Sequence, residues 1–132
     1  GAGAKELYDK AVTAAFAQLG LTPGALLAGD YAYPVAGSFD AKLEAIIVQK
    51  WASFPGTHDL EGFLERNRTG YPKTSPVYST DPSYIPGQIV YSKNGVTGGL
   101  FPKRMLFPNI ERSRNINTPA EVPITQKVWW GL

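Results

Sequence analysis

Cysteine is absent from all 132 residues. That excludes a disulfide framework, a thiolate zinc site and a cysteine nucleophile, and it removes the thiol on which a lipid anchor is built. Histidine is nearly absent, with His58 alone, so a serine triad would have to use that residue, and no nucleophile-elbow sequence accompanies it. No apolar run approaches the roughly 20 residues that cross a bilayer, and the first residues lack the basic-then-apolar order of a secretion signal. The chain is expected to be soluble as it stands. Charge of one sign is missing too: 13 basic against 11 acidic residues leave +2, too weak a field to steer nucleic acid or an anionic membrane. The length predicts one domain, 1–132, burying roughly two-thirds of the surface of its unfolded form.

The first seventy residues read as helical. In "AKELYDKAVTAAFAQLG" the residues Leu7, Tyr8, Val12, Phe16 and Leu19 recur at three- and four-residue steps before Gly20, predicting a helix over Ala4 to Leu19. Its alanines let a neighbouring helix approach closely. After a loop marked by Pro23-Gly24, Gly29 and Pro34, Ser38 can cap a second helix from Phe39 to Phe54. Phe39, Leu43, Ile46, Ile47, Trp51 and Phe54 give it one wide apolar face, so it should be the most buried element, with Trp51 inside. Pro55-Gly56 ends it, and Thr57 is a plausible cap for a third helix, Asp59 to Asn67. There Leu60, Phe63 and Leu64 face inward, and Arg66 and Arg68 suit the negative helix end before Gly70.

From Pro72 onward lie eight of the eleven prolines, which forbids any long helix there. The segment 71–132 is therefore loop-rich. "QIVYSKNGVTGGLF" can form a short β-hairpin around Asn94-Gly95, limited by Pro102. The closing "QKVWWGL" reads as a packing clasp, with Trp129 and Trp130 covering apolar surface.

His58, Glu61 and Glu65 share a helical face at metal-ligand spacing, but with one histidine at the helix start a solvated face is the better reading, and no metal or other cofactor is expected. Asp9, Asp40 and Glu44 form no recognisable acid–base pair, and "NGVTGG" lacks the lysine of a phosphate loop, so a turn is expected there. The cations Arg66, Arg68, Lys73, Lys103, Arg104, Arg112 and Arg114, near Tyr71, Phe101 and Phe107, could present a basic aromatic surface. Glu65 and Glu111 interrupt it, and guanidiniums bonding loop carbonyls and carboxylates fit a proline-rich segment better than nucleic-acid binding. Tyr78, Tyr84 and Tyr91 lie among proline, glycine and serine, where flat rings with a hydroxyl can stack on sugars and hydrogen-bond to them.

"IIVQKW" followed by "ERNRTGYP" resembles the helix pair of the SusD/RagB family of outer-membrane nutrient-binding lipoproteins of Bacteroidetes. "FPKRMLFPNIERSRN" is similar to that family's R-x-x-YP-x-x-E-x-x-x-N segment, and "KVWW" to its usual ending. Asn67 stands where the family has the first of two arginines, and Phe107 where it has tyrosine. The signature residues are Gln49, Lys50, Trp51, Arg68, Thr69, Gly70, Tyr71, Pro72, Arg104, Pro108, Glu111, Asn115, Trp129 and Trp130.

The resemblance implies a mainly α fold, tetratricopeptide-like helices with long irregular loops, corresponding to the family's C-terminal portion. It implies capture of an oligosaccharide or other nutrient at the cell surface without catalysis. The partner it implies is a SusC-like TonB-dependent transporter, with membrane attachment only through a lipid anchor absent from this chain. Arg68, Arg104, Glu111 and Asn115 are expected to tie the third helix to the C-terminal loop. On that expectation Arg68→Ala costs roughly 1 to 3 kcal/mol. The alternative reading is a helical protein-interaction module that binds no sugar.

Overall fold

The computed structural model describes residues 3–90 and 94–132. Its order is α1 (Ala4–Gln18), a 3₁₀ turn (Gly24–Ala28), α2 (Phe39–Ser53), α3 (Asp59–Thr69), β1 (Thr74–Ser75), β2 (Ile89–Val90) and α4 (Asn109–Arg114). The protein is mainly helical, and the three long helices fall where the apolar periodicity places them. The Ser38 hydroxyl caps α2 by accepting from the Ala41 N–H at 3.2 Å. Thr57 does not cap α3, because its hydroxyl donates back to the Phe54 carbonyl at 2.9 Å, and His58 takes the cap position. The turn is held instead by Asp59, whose carboxylate accepts from the Gly56 N–H at 3.0 Å.

The core lies between α1 and the loop before α2. Tyr8, Val12 and Tyr33 are buried there, with Phe16, Leu26, Leu27 and Ala45 packed around them. The Tyr8 and Tyr33 rings sit 5.4 Å apart, and the Tyr8 hydroxyl donates to the Tyr31 carbonyl at 2.6 Å. Aromatic packing thus fixes a segment that has no regular structure of its own.

Burial departs from the sequence expectation in several places. The molecule exposes 9204 Å², against about 6800 Å² for a compact monomer of this mass and roughly 21,000 Å² unfolded, so little more than half of its surface is buried, not two-thirds. Leu7 on α1 and Leu19 just past its end are exposed, as are Phe39 and Ile46 on α2. Ile47 is the one buried residue of α2, and Trp51 is only half-buried. Leu60 of α3, expected inside, is exposed as well. The helical stripes are wider than the neighbouring elements that cover them. The most buried helix is α3, through small and polar residues: Gly62, Arg66, Asn67 and Thr69.

Gly62 explains how α2 and α3 meet. A Cβ there would lie 3.4 Å from a Phe54 ring atom and 3.5 Å from the Trp51 indole, ordinary contact distances. Gly62→Ala should therefore stabilise the protein by about 0.5 to 1 kcal/mol, since alanine gains helix propensity of that order and adds contact without overlap. A higher urea midpoint at unchanged slope is the expected result; a lower one would mean that the α2–α3 contact does not accept the added methyl group.

The hairpin around Asn94-Gly95 does not form among the described residues. Thr74–Ser75 instead pairs in parallel with Ile89–Val90, and the Ile89 N–H donates to the Lys73 carbonyl at 2.8 Å. The stretch meant as the second strand is spent in turns, with Gly98 N–H donating to the Gly95 carbonyl and Leu100 N–H to Thr97, and Pro102 brings no N–H for a ladder.

Candidate functional site

The two signature strings on α2 and α3 tie the helices to each other and to the C-terminal half. In "QKW" three consecutive side chains reach three places. The Gln49 amide lies at the Tyr8 hydroxyl of α1, whose pKa burial raises, with Asp9 adding to the rise and Gln49 opposing it. Lys50 lies 3.7 Å from Glu65 of α3 and 5.6 Å above the Phe54 ring, and Trp51 lies against Gly62. One turn of α2 thereby fixes both neighbouring helices.

The end of α3 is built residue by residue. The Thr69 hydroxyl donates to the Glu65 carbonyl at 2.7 Å and accepts from the Tyr71 N–H at 3.2 Å, carrying the chain past the helix. Gly70 has φ +79°, a left-handed conformation that glycine adopts without strain, and its N–H closes on the Arg66 carbonyl. The Tyr71-Pro72 peptide is cis and Pro72 is fully buried. Lys73 then lies 3.4 Å from Glu44 of α2.

The residue that binds the C-terminal half to α3 is Asn67, fully buried at 0 % exposure. Its amide donates to the Phe63 carbonyl at 3.2 Å and to the Pro102 carbonyl at 3.3 Å, while its own backbone carbonyl accepts from the Leu132 N–H at 2.9 Å. Two distant segments are held by one residue. Arg68 makes no such tie: it points outward and bonds Glu65 at 3.0 Å, one turn back on its own helix. The helical rotation decides this, since position 67 faces the loop half and position 68, about 100° further round, faces solvent. Arg68→Ala should therefore cost under about 0.5 kcal/mol, the scale of an exposed helical ion pair, rather than the larger loss of a buried tie. A urea midpoint shift corresponding to more than about 1 kcal/mol would return Arg68 to a structural role.

The second signature closes on itself too. Pro108 caps α4, Asn115 donates to the Glu111 carboxylate, and the Thr118 hydroxyl and Asn115 N–H both donate to the Glu111 carbonyl. Glu111 and Asn115 are thus a local lock on α4 and do not reach α3. Arg104 lies along a groove with Met105, Leu106 and Phe107, and Arg112 pairs with Glu121 at 2.5 Å. Of these guanidiniums, Arg112 bonds a carboxylate of the loop-rich half, Glu121, whereas Arg68 bonds one on its own helix.

Trp129 and Trp130 are not a clasp. Trp129 is 95 % exposed and Trp130 38 %, because the Gly131 N–H bonds the Val128 carbonyl and turns the chain so that Leu132, rather than an indole, reaches Asn67. Of the loop tyrosines, Tyr78 is exposed and Tyr84 half-buried with its hydroxyl donating to the Gln88 carbonyl at 2.9 Å; Tyr91 lies outside the described residues. A cleft of about 520 Å³ opens between the start of α1, Tyr33, Val35 and Lys42. Among the described residues no group of three His, Cys, Asp or Glu side chains is placed to hold a metal ion.

A helix pair locked by a three-way QKW turn and tied to a proline-rich C-terminal half describes a helical scaffold that presents loops. The chain belongs to the SusD-like family, the SusD and RagB outer membrane lipoproteins, whose model matches residues 30–126. Comparison with curated proteins and with solved structures gives no match. Among the described residues no helix is long and apolar enough to cross a membrane.

Proposed function

We propose that the protein binds a glycan or similar nutrient, without catalysis, at the outer-membrane surface and works beside a SusC-like TonB-dependent transporter. The family match over 30–126 carries this reading. The loop half supports it by exposing aromatic rings on segments fixed at both ends. Of the tyrosines proposed as sugar contacts, Tyr78 offers the more open ring, while Tyr84 has its hydroxyl engaged and contributes a ring face. Affinity of this chain for a sugar should be weak, no tighter than about millimolar, or some −4 kcal/mol.

Calorimetric titration with a panel of plant and host oligosaccharides, repeated on Tyr78→Ala and Tyr84→Ala, tests both parts. Binding weakened by Tyr78→Ala is expected; binding indifferent to both substitutions removes the tyrosines from the site. The interaction-module reading is favoured by the exposed Phe39 and Ile46 on one side of α2. A glycan array with no hits together with capture of the transporter would select it.

A further inference from the structure

The groove beside Arg104 holds about 240 Å³ and is walled by two stretches of chain, 104–107 and 119–122, with Arg112 of α4 also lining it. Over 105–107 and 119–122 the chain runs without helix, turn or bend. The walls are held in place from outside the groove. The Lys103 N–H donates to the Ile124 carbonyl at 2.8 Å, joining the two stretches next to their ends, and the Arg112–Glu121 ion pair at 2.5 Å ties the second stretch to α4. Met105, Leu106 and Phe107 remain exposed on the first stretch.

Two features of this groove are left unsatisfied by the fold. Its backbone is unpaired: among the described residues no N–H or carbonyl of 104–107 or 119–122 makes a hydrogen bond. Its cation is unpaired as well. Arg112 is taken by Glu121, whereas the half-buried Arg104 guanidinium has no carboxylate, carbonyl or ring partner among the described residues. Arg104 and Arg112 against Glu121 leave the groove one positive charge, which an anionic occupant complements. An added stretch of chain pairs with exposed backbone and points alternate side chains into the groove. One apolar side chain suits the Met105, Leu106 and Phe107 lining, and a carboxylate two residues away, on the same face, suits Arg104. Size decides against a free sugar or other small molecule, because such sites run to roughly 300 to 1,000 Å³, and a mainly apolar lining leaves hydroxyls without partners.

We infer that the groove between 104–107 and 119–122 is a docking site for an extended peptide segment of a partner protein, with an apolar side chain in the groove and a carboxylate two residues away on Arg104. The inference goes beyond nutrient binding and uses none of the loop tyrosines.

Nuclear magnetic resonance titration of the nitrogen-labelled 132-residue chain at low salt tests the inference with two blocked peptides, acetyl-Thr-Phe-Thr-Asp-Thr-amide and the reversed order, acetyl-Thr-Asp-Thr-Phe-Thr-amide. The amides that shift should be those of 104–107 and 119–122. One order should bind at least about tenfold tighter than its counterpart with asparagine in place of aspartate, the scale of one charge-assisted hydrogen bond. That advantage should shrink as salt rises and disappear in Arg104→Gln, whose fold far-UV circular dichroism checks. Alanine in place of the peptide's phenylalanine, or N-methylation along its backbone, should abolish binding. If Arg104→Gln does not fold, the shift map and the aspartate-to-asparagine comparison on the parent chain still decide. Silence towards both orders, equal binding of the aspartate and asparagine peptides, or shifts confined to residues outside the groove would each overturn the inference. Trigalacturonate is the competing ligand: groove amides that move with it and not with the peptides would make this a sugar site and overturn peptide docking. Oligosaccharide binding elsewhere on the chain is read by its own panel, so nutrient binding and peptide docking stand or fall separately.

Discussion

Asn67→Asp should be the most destabilising single-atom change in the molecule, lowering stability by more than about 3 kcal/mol at neutral pH. The amide nitrogen of Asn67 serves the Phe63 and Pro102 carbonyls from a position with no solvent exposure. A carboxylate there keeps the shape, loses both donations and faces two carbonyl oxygens. The Asn67 Oδ1 is already buried without a partner, so the site holds no donor ready to receive the new charge. Asn67→Ala removes the amide without adding charge and should cost about 2 to 3 kcal/mol, chiefly by leaving the Pro102 carbonyl unsatisfied. Urea denaturation at constant slope measures both. Faster hydrogen exchange at the Leu132 amide, which bonds the Asn67 carbonyl, should accompany them, because the terminal segment loses its anchor. A loss below about 0.5 kcal/mol for the aspartate would show that the loop half is not held through this residue.

That Asn67 and not Arg68 ties the two halves marks the limit of what the sequence disclosed. The helices were legible because periodicity, the Ser38 cap and the Pro55-Gly56 and Gly70 stops agree with one another. Arginine beside a helix end suggested a charged clamp, yet which of two adjacent side chains faces inward depends on the phase of α3 against a loop whose path carries no periodic signal. One signal was available: asparagine in place of an expected arginine at position 67 points to a site too small or too dry for a guanidinium. Trp51 is less buried and Trp129 more exposed than their apolar character suggests, for a related reason. Apolar character reports what a side chain prefers, whereas coverage depends on whether another element reaches it. Gly62 reaches Trp51 on one side, and the turn at Val128 to Gly131 swings Trp129 away from the protein. The parallel bridge between Thr74 and Ile89 was not legible, since two-residue strands have no pattern to read.

Glu65→Gln should cost about 1 to 2 kcal/mol at neutral pH, more than loss of either of its partners, and the difference from the parent should vanish in acid. Glu65 is the shared anion of the α2–α3 junction, with Arg68 at 3.0 Å and Lys50 at 3.7 Å, and its side chain is only 17 % exposed while theirs are 58 % and 45 %. Glutamine still accepts one bond from Arg68, which keeps the loss below that of a fully buried pair. Hydrogen bonding from Arg68 holds the carboxyl below its ordinary value of 4.5, against desolvation and with help from the Lys50 charge. A folded-state pKa below the unfolded one means that the folded form binds its proton less readily. The stabilisation is therefore complete above the unfolded value and is lost as pH falls through the folded one. Urea midpoints of the parent and Glu65→Gln should differ at pH 7, begin to approach each other as pH falls below the ordinary value of 4.5, and merge once pH has fallen through the lowered folded-state value. High salt should narrow the gap at pH 7 only partly, because the cations are exposed but the carboxylate is not. Midpoints that stayed parallel from pH 7 to pH 3 would mean that the carboxylate's charge contributes nothing, leaving the α2–α3 junction to the Trp51–Gly62 contact alone.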